Sequence, residues 1–465
     1  MSANTPEPTP EHVSSHEASL GSDRSIRRPV SSVVITGMGV ISPLGNTPEA
    51  LIEGLRGGIS GIAKFTQIPT EAFCVSSGAE AREFTGHIDN YGPMEKTLQR
   101  AIRKNIKVMC REIEMGVASA QLALNHAGFN ADAFDRDRTG VLFGSDYIMS
   151  MPEEYSAGIA ACLEDGEFRF DRWGQQGLPN VNPLWLLKYL PNMPASHIAI
   201  YNDLRGPNNS LTLREASSCA AIAEGTSTIL RGHADALVVG STGSRIHPLR
   251  TLHASTQEPL AADRDDPAEM SRPFDSTRDG GVLGEGAASL LCESRVHAEA
   301  RDANILGEVI GCGTSAVGPA GGPRPIQVAI ANALRAALRS ATAAGHGKTP
   351  IGHIHAHGLS DIEIDRDEAN AIAEVFGDVA GQPPVTTAKG HFGNLGAGGG
   401  MVEIIASLLC LGGNLFPIRN LKTLDPNCPI NAVIEGNTTP AGDSFLSVNV
   451  SPQGQAAAVW IRREG

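Results

Sequence analysis

The segment GPNNSLTLREASSCAAIAEGTSTILRGHADALVVGST (206–242) decides the fold. Its first eight residues are an extended polar-apolar stretch opened by Gly-Pro. Small and aliphatic residues then run with helical spacing from about Ser217 to Arg231, and ADALVVGST (234–242) is an apolar, β-branched run ending near a glycine. A strand, a helix and a buried strand in succession make a β-α-β unit, the repeating element of α/β sheets.

The alternation continues in both directions. Upstream, SVVITGMGVIS from Ser32 reads as a buried strand, followed by a helix over 47–56, a long helical pattern from Thr97 to Ala127 and a strand over 138–145 (RTGVLFGS). The 150–195 stretch carries charged and Pro-rich pieces around two tryptophans and reads as a cap outside the sheet. Downstream come LGEVIGCGTSA from Leu306, a helix over Ile326 to Ala344, the strand IGHIHAHGLS (351–360), a helix over Asp365 to Phe376 and the closing strands SFLSVNVS and AAAVWIRR. VITGMG (34–39) and VIGCG (309–313) match in place and kind, which suggests two pseudo-repeated halves. The expected organisation is a tail over 1–30, an N-terminal half over 31–300 with a cap around 146–200, and a C-terminal half over 301–465.

Composition narrows the function classes. The 465 residues are 41% hydrophobic and 19% charged with 52 glycines, values of a globular chain rich in tight turns. A formal net charge of -14 argues against nucleic acid or an anionic membrane as the main partner. The eight cysteines form no C-x-x-C pair, so neither a zinc knuckle nor a disulfide framework is indicated. Residues 1–30 are rich in Pro, Ser, Glu and Thr without an apolar run, and are expected to be disordered rather than a secretory signal. No later stretch reaches the roughly 18 apolar residues of a membrane span. A soluble, cytoplasmic protein is expected.

Two motifs invite cofactor readings. GMGVIS (37–42) lacks the third glycine of a dinucleotide fingerprint, because Ser42 stands there, and a tight strand-to-helix turn is the plainer reading. His353, His355 and His357 alternate along a strand, so their rings are expected on one side, as a metal-binding H-x-H pair requires. Clustered histidines are by themselves only suggestive of a metal.

TGMGVISPLG (36–45), GHADALVVG (232–240), SRPFDSTRDGGVLGEGAASLLCE (271–293) and AHGLSDIEID (356–365) resemble, in order, the signature segments of elongating β-ketoacyl-acyl carrier protein synthases. The resemblance implies a thiolase-like α/β fold, five-layered αβαβα with two pseudo-repeated halves. It also implies a dimer, no metal or other cofactor, and substrates delivered on the phosphopantetheine arm of an acyl carrier protein. In such enzymes a cysteine on a strand-to-helix elbow carries the acyl chain, and two histidines stabilise the oxyanion formed when the malonyl group decarboxylates.

Matched residue by residue, the resemblance places Glu215 at the nucleophile position, nine residues after Gly206 and seventeen before Gly232. His357 falls on the first family histidine. Asn394 falls on the second, with Lys389 retained five residues before it and Glu403 nine residues after; His391 is three places early. The glycine-rich gating loop appears as Ser451-Pro452-Gln453-Gly454, in which proline removes a donor and stiffens the chain. Cys219, one helical turn after Glu215, is the alternative nucleophile, reachable only by a four-residue slip of the elbow. A carboxylate is a poor acyl carrier because a mixed anhydride hydrolyses readily.

Four readings follow. One is a chain-length-factor-like subunit pairing with an active synthase through the strand around Tyr201 to Leu213. Others are a malonyl-carrier-protein decarboxylase with Glu215 at the nucleophile position, a condensing acyltransferase using Cys219, and a pure acyl-binding protein. Arg103, Lys104 and Lys107 are candidates for contacting the acidic carrier protein, with a solvated helix face as the plain alternative.

Overall fold

The computed structural model describes residues 32–464 except 72, 131–132 and 323; the expected disordered tail over 1–30 lies outside the described residues. The dominant element is a ten-stranded mixed sheet. Its N-terminal half consists of β1 (Val33–Ile41), β2 (Thr139–Ser145), β3 (Asn208–Thr212), β4 (Ala236–Ser244) and β5 (Glu285–Ser294). The C-terminal half consists of β6 (Gly307–Ala316), β7 (His353–His355), β8 (Val385–Thr386), β9 (Ser444–Val450) and β10 (Gln455–Arg462).

The strand order is β8-β7-β9-β10-β6-β1-β5-β4-β2-β3. Each half therefore reads third-second-fourth-fifth-first from its outer edge. In each, the third, second and fourth strands are parallel, while the fourth, fifth and first alternate antiparallel. The halves join through a three-residue pairing of Val33–Ile35 with Gly307–Val309. The sheet is thus mixed, because short returns such as the four residues between β9 and β10 can only give antiparallel neighbours.

Helices fill three layers. α1 (Arg111–His126) covers the outer face of β1, β4 and β5; α3 (Pro325–Ala343), backed by α4 (Ile362–Phe376), covers β6, β9 and β10. α2 (Ser217–Leu230) and α5 (Gly399–Cys410) lie between the halves and touch strands of both. One core cluster accordingly draws Val33, Leu237 and Leu290 from one half and Phe445, Val459 and Ile461 from the other. This is the αβαβα sandwich that the resemblance implies.

The paired motifs have a physical cause. Gly37 and Gly39 sit inside β1, where a Cβ would lie 2.5 Å from Ala123 O and 2.2 Å from Ser119 O of α1. Gly311 and Gly313 sit inside β6 in the same relation to α3, with Ala337 O at 2.5 Å and Ala333 O at 2.2 Å. Each strand also breaks register beside its first glycine, between Ile35 and Gly37 and between Val309 and Gly311. GMGVIS is therefore no turn: the strand continues to Ile41, and glycine is needed for helix contact.

Other expectations are corrected. The helical pattern over Thr97 to Ala127 is broken into Lys96–Asn105, a 3-10 turn at Ile106–Val108 and α1. The break lets Arg111 reach inward to the buried Glu285 at 2.7 Å and to the Phe84 and Ala81 carbonyls at 2.9 Å each. Tertiary pairing thus overrides helix propensity. The strand expected over 351–360 stops at His355, because beyond it Glu368 takes the N–H groups of His357 and Gly358 and Asp365 those of Leu359 and Ser360. The 146–200 segment contributes no strand to the large sheet; it contains helices Glu153–Ala161 and Met193–Asn202 linked by a small hairpin and short turns.

Candidate active site

The two central helices begin where the third strand of each half ends, so their N-terminal elbows meet in the middle of the molecule. In the first elbow, Ser217 Oγ accepts from Leu213 N–H at 2.9 Å and donates to Ser145 O at 3.1 Å. Ser218 Oγ donates to Ala397 O of the second elbow at 2.7 Å. Between strand and helix, a 3-10 turn over Arg214–Ala216 presents Glu215, and Arg214 takes a left-handed φ of 53° that costs backbone energy in a non-glycine residue.

Glu215 is 2% exposed and ionically saturated on one oxygen. Its Oε1 accepts from Arg245 Nη1 at 3.1 Å and Asn394 Nδ2 at 3.0 Å, with Arg214 Nη2 at 3.4 Å. Glu258 completes a ring: its two oxygens take Arg214 Nη2 and Arg245 Nη2, each at 2.6 Å. Burial alone would push the Glu215 carboxyl up, but Arg214 and then Arg245, helped by the Asn394 amide, hold it down to about 2. At an effective dielectric of about 20, a charge pair at this range gives roughly 4 kcal/mol, so two guanidiniums outweigh a typical burial penalty. Glu215 is therefore an anion at neutral pH. The arginines that set this charge lie one and thirty positions away from Glu215.

Asn394 is fixed in orientation, since its Oδ1 accepts from Gly396 N–H at 2.9 Å and its Nδ2 must face Glu215. One N–H of the Asn394 amide is thus held by the Glu215 carboxylate. His357 is 1% exposed; burial, then the Lys389 ammonium, lowers its pKa well below the ordinary value, so the ring is neutral. Its Nδ1 and Glu215 Oε2 are both buried without a protein partner.

Behind these groups lies a second polar chain. Lys389 Nζ donates to His357 O at 2.7 Å and pairs with Glu403 Oε1. Glu403 Oε2 accepts from Asn449 Nδ2 at 3.0 Å, and Asn449 Oδ1 accepts from the Cys219 thiol at 3.2 Å. Cys219 is fully buried in the apolar core, and burial pushes its thiol far above the ordinary range. The structure thus brings Glu215, His357 and Asn394 together, with Lys389 directly behind. Cys219 ends the buried chain and does not face Arg245 or Asn394.

His391 turns away as its position suggests, with its ring Nδ1 2.9 Å from Ile59 O. His353 and His355 share one side, where Nε2 of the first and Nδ1 of the second contact Ser407 Oγ at 3.0 and 2.7 Å. Among the described residues no group of three or more His, Cys, Asp or Glu is arranged to hold a metal. Ser451-Pro452-Gln453-Gly454 forms a closed hairpin turn, with Gly454 N–H donating to Ser451 O at 3.0 Å and Ser451 N–H to Gln455 O at 2.8 Å. Pro452 lines a cleft of about 80 Å3 with Arg245, Glu258, Leu359 and Asn394. Arg214, Arg245 and Glu258 were not singled out from sequence; an arginine closing the apolar strand ADALVVGSTGSR is the one signal that points to them.

A thiolase-like sandwich with a site at the two central elbows defines a ketosynthase-type protein. Family models for the N-terminal and C-terminal domains of β-ketoacyl synthase match residues 30–298 and 306–421. The chain belongs to the β-ketoacyl synthase family. It is 31% identical over 407 residues to a 3-oxoacyl-[acyl-carrier-protein] synthase 2 of Staphylococcus aureus, covering 86% of this chain and 91% of that protein. The same identity holds over 405 residues, with the same coverages, for the synthase 2 of Coxiella burnetii. Among solved structures, a β-ketoacyl synthase from Burkholderia phymatum matches with a TM-score of 0.79 at 25% identity, covering 94% of this chain and all of that one. A structure described as the ishigamide ketosynthase/chain length factor matches with a TM-score of 0.77 at 26% identity and the same coverages. Among the described residues no helix is long and apolar enough to cross a membrane.

Proposed function

We propose that this chain is a non-condensing member of the family that works as a chain-length-factor-like subunit beside an active ketosynthase in fatty acid or polyketide biosynthesis. The observation that carries the reading is the closed Arg214–Glu215–Arg245–Glu258 ring at the nucleophile position. Condensation needs a thiolate there, and the residue present is a carboxylate already neutralised by its neighbours. Decarboxylation without condensation needs donors aimed at a developing oxyanion. Here one Asn394 N–H is already held by Glu215, and the fixed anion opposes further negative charge. Cys219 is buried, weakly acidic and committed to Asn449, which counts against its use as a nucleophile.

Pairing is supported by the outer edge of the N-terminal half. β3 hydrogen-bonds to β2 on one side only among the described residues, and Asn208, Asn209 and Thr212 are exposed. An open edge of this kind is a template for a strand of another chain. Beside it, the Met193–Asn202 helix exposes Ile200 by 70%, and the cap exposes Phe170 by 76% together with Leu184 and Leu186. Exposed apolar side chains beside an open strand edge are candidates for an interface. The partner in this reading carries the intact Cys-His-His set, and the acyl carrier protein docks near the exposed Arg103, Lys104 and Lys107.

The test is co-expression with a ketosynthase that carries the intact Cys-His-His set. A 1:1 complex on size exclusion and native mass spectrometry, with elongation dependent on the partner's cysteine, is the expected result. A stable homodimer that elongates acyl carrier protein unaided would overturn the proposal.

A further inference from the structure

The end of α2 that points away from the elbow borders a second opening. A cleft of about 340 Å3 separates Thr226, Leu230 and Arg231 of this end from β6 and from the end of α3 at Ser340 and Ala344. Leu230 is 43% exposed, and the buried Thr226 hydroxyl has no hydrogen-bond partner. The β6 wall is formed by residues 308–312, among them the half-buried Cys312.

That wall is an open strand edge. On one side β6 pairs with β10 from Glu308 to Ala316. On the other it pairs with β1 only over Gly307–Val309, and among the described residues no strand covers this edge beyond Val309. Backbone N–H and C=O groups left free along an edge take up an added strand when one is within reach.

The chain itself supplies one. Ser32 forms part of the cleft wall, and 31 residues precede it. Val33, Val34 and Ile35 face Val309, Glu308 and Gly307, so each step back along β1 advances one residue along β6. Continued through Ser32 and Ser31, this register brings Val30 beside Cys312, and the irregularity at Ile310 shifts it by at most one residue. Valine suits a strand, whereas Pro29 has no N–H to donate and ends the pairing. Residues 24–31 carry three arginines and no acid in a chain of net charge -14, so long-range attraction holds this stretch to the body.

We propose that residues 30–31 extend β1 along the free edge of β6 and that Val30 seats in the cleft beside Cys312. The extension lengthens the three-residue seam between the two halves, at the opposite end of α2 from the elbow. It shares no residue with the Glu215 ring and is independent of the subunit reading.

The test uses the full chain carrying Val30→Cys, oxidised with copper-phenanthroline and mapped by peptide mass spectrometry, with Ser25→Cys as the control beyond Pro29. Paired strands hold Cα atoms about 4.5–5.5 Å apart, inside disulfide reach. A disulfide from position 30 to Cys312 within one chain should form at least about tenfold faster than any from position 25, because pairing raises the local thiol concentration. Hydrogen exchange gives a readout free of thiol chemistry. Amides of 310–312 that face away from β10 should exchange slowly in the wild type and about tenfold faster in Val30→Asp, as when one hydrogen bond is lost. Exchange there that is already fast in the wild type or is unchanged by Val30→Asp would overturn the proposal. Equal cross-linking from positions 25 and 30, or a cross-link found only between two chains, would do the same.

Discussion

The two central elbows occupy equivalent places, each joining the third strand of its half to a central helix, yet they use buried charge differently. The C-terminal elbow holds one cation and one anion, Lys389 and Glu403, with the remaining capacity taken by His357 O and Asn449. The N-terminal elbow holds two of each sign in a closed ring, with Glu215 at the position that the resemblance matches to the nucleophile. The first arrangement fixes the backbone behind His357 and leaves that ring free to face the site. The second neutralises the Glu215 carboxylate itself. Buried ionisable groups therefore do not by themselves mark a working catalyst; what matters is whether their hydrogen-bond capacity is still available.

The largest effect expected from breaking this comparison is at Lys389. Lys389→Met strands Glu403 as an unpaired buried charge and should cost about 3–5 kcal/mol in urea unfolding. A loss below about 1 kcal/mol would show that the C-terminal pair is dispensable.

Glu215→Leu should cost less, about 2 kcal/mol, because Glu258 still pairs with both arginines. The double variant Glu215→Leu with Arg245→Leu should recover part of that loss, since removing a buried pair together is often near neutral. Additive losses in the double-mutant cycle would contradict a coupled ring. The pH dependence follows in sign. The folded-state value of Glu215, about 2, lies below the ordinary 4.5, so its contribution is full above about 4.5 and fades as pH falls towards 2. Wild-type stability should therefore drop more steeply than that of Glu215→Leu over this window.

At the edge of the same half, Ile200→Glu should leave folding stability within about 0.5 kcal/mol while weakening subunit association. Unchanged association by sedimentation would remove the Met193–Asn202 helix from the interface. The smallest effect concerns thiols: brief native alkylation should modify the exposed Cys74 and spare Cys219, as peptide mapping can read.

Much of this was legible in the sequence. The glycine pairs at 37 and 39 and at 311 and 313 reflect equivalent helix contacts, so the repeat in VITGMG and VIGCG carried real geometry. Fixed spacing between Gly206 and Gly232 placed Glu215 on the elbow because an uninterrupted strand-turn-helix-strand has little freedom in length. The ring partners were hidden for the opposite reason. Arg245 and Glu258 stand thirty and forty-three positions from Glu215 and join its ring only because β4 returns to the elbow, so each reads locally as an ordinary surface charge. The break at Ile106–Val108 was equally opaque, since it is set by Glu285 in a distant strand.

The most direct measurement is intact-protein mass spectrometry after incubation with malonyl- and acyl-loaded carrier protein, while conversion of malonyl to acetyl carrier protein is followed. The account predicts no acyl adduct on any residue and no conversion beyond the uncatalysed rate. An adduct that disappears in Cys219→Ala, or decarboxylation that disappears in Glu215→Leu, would contradict it.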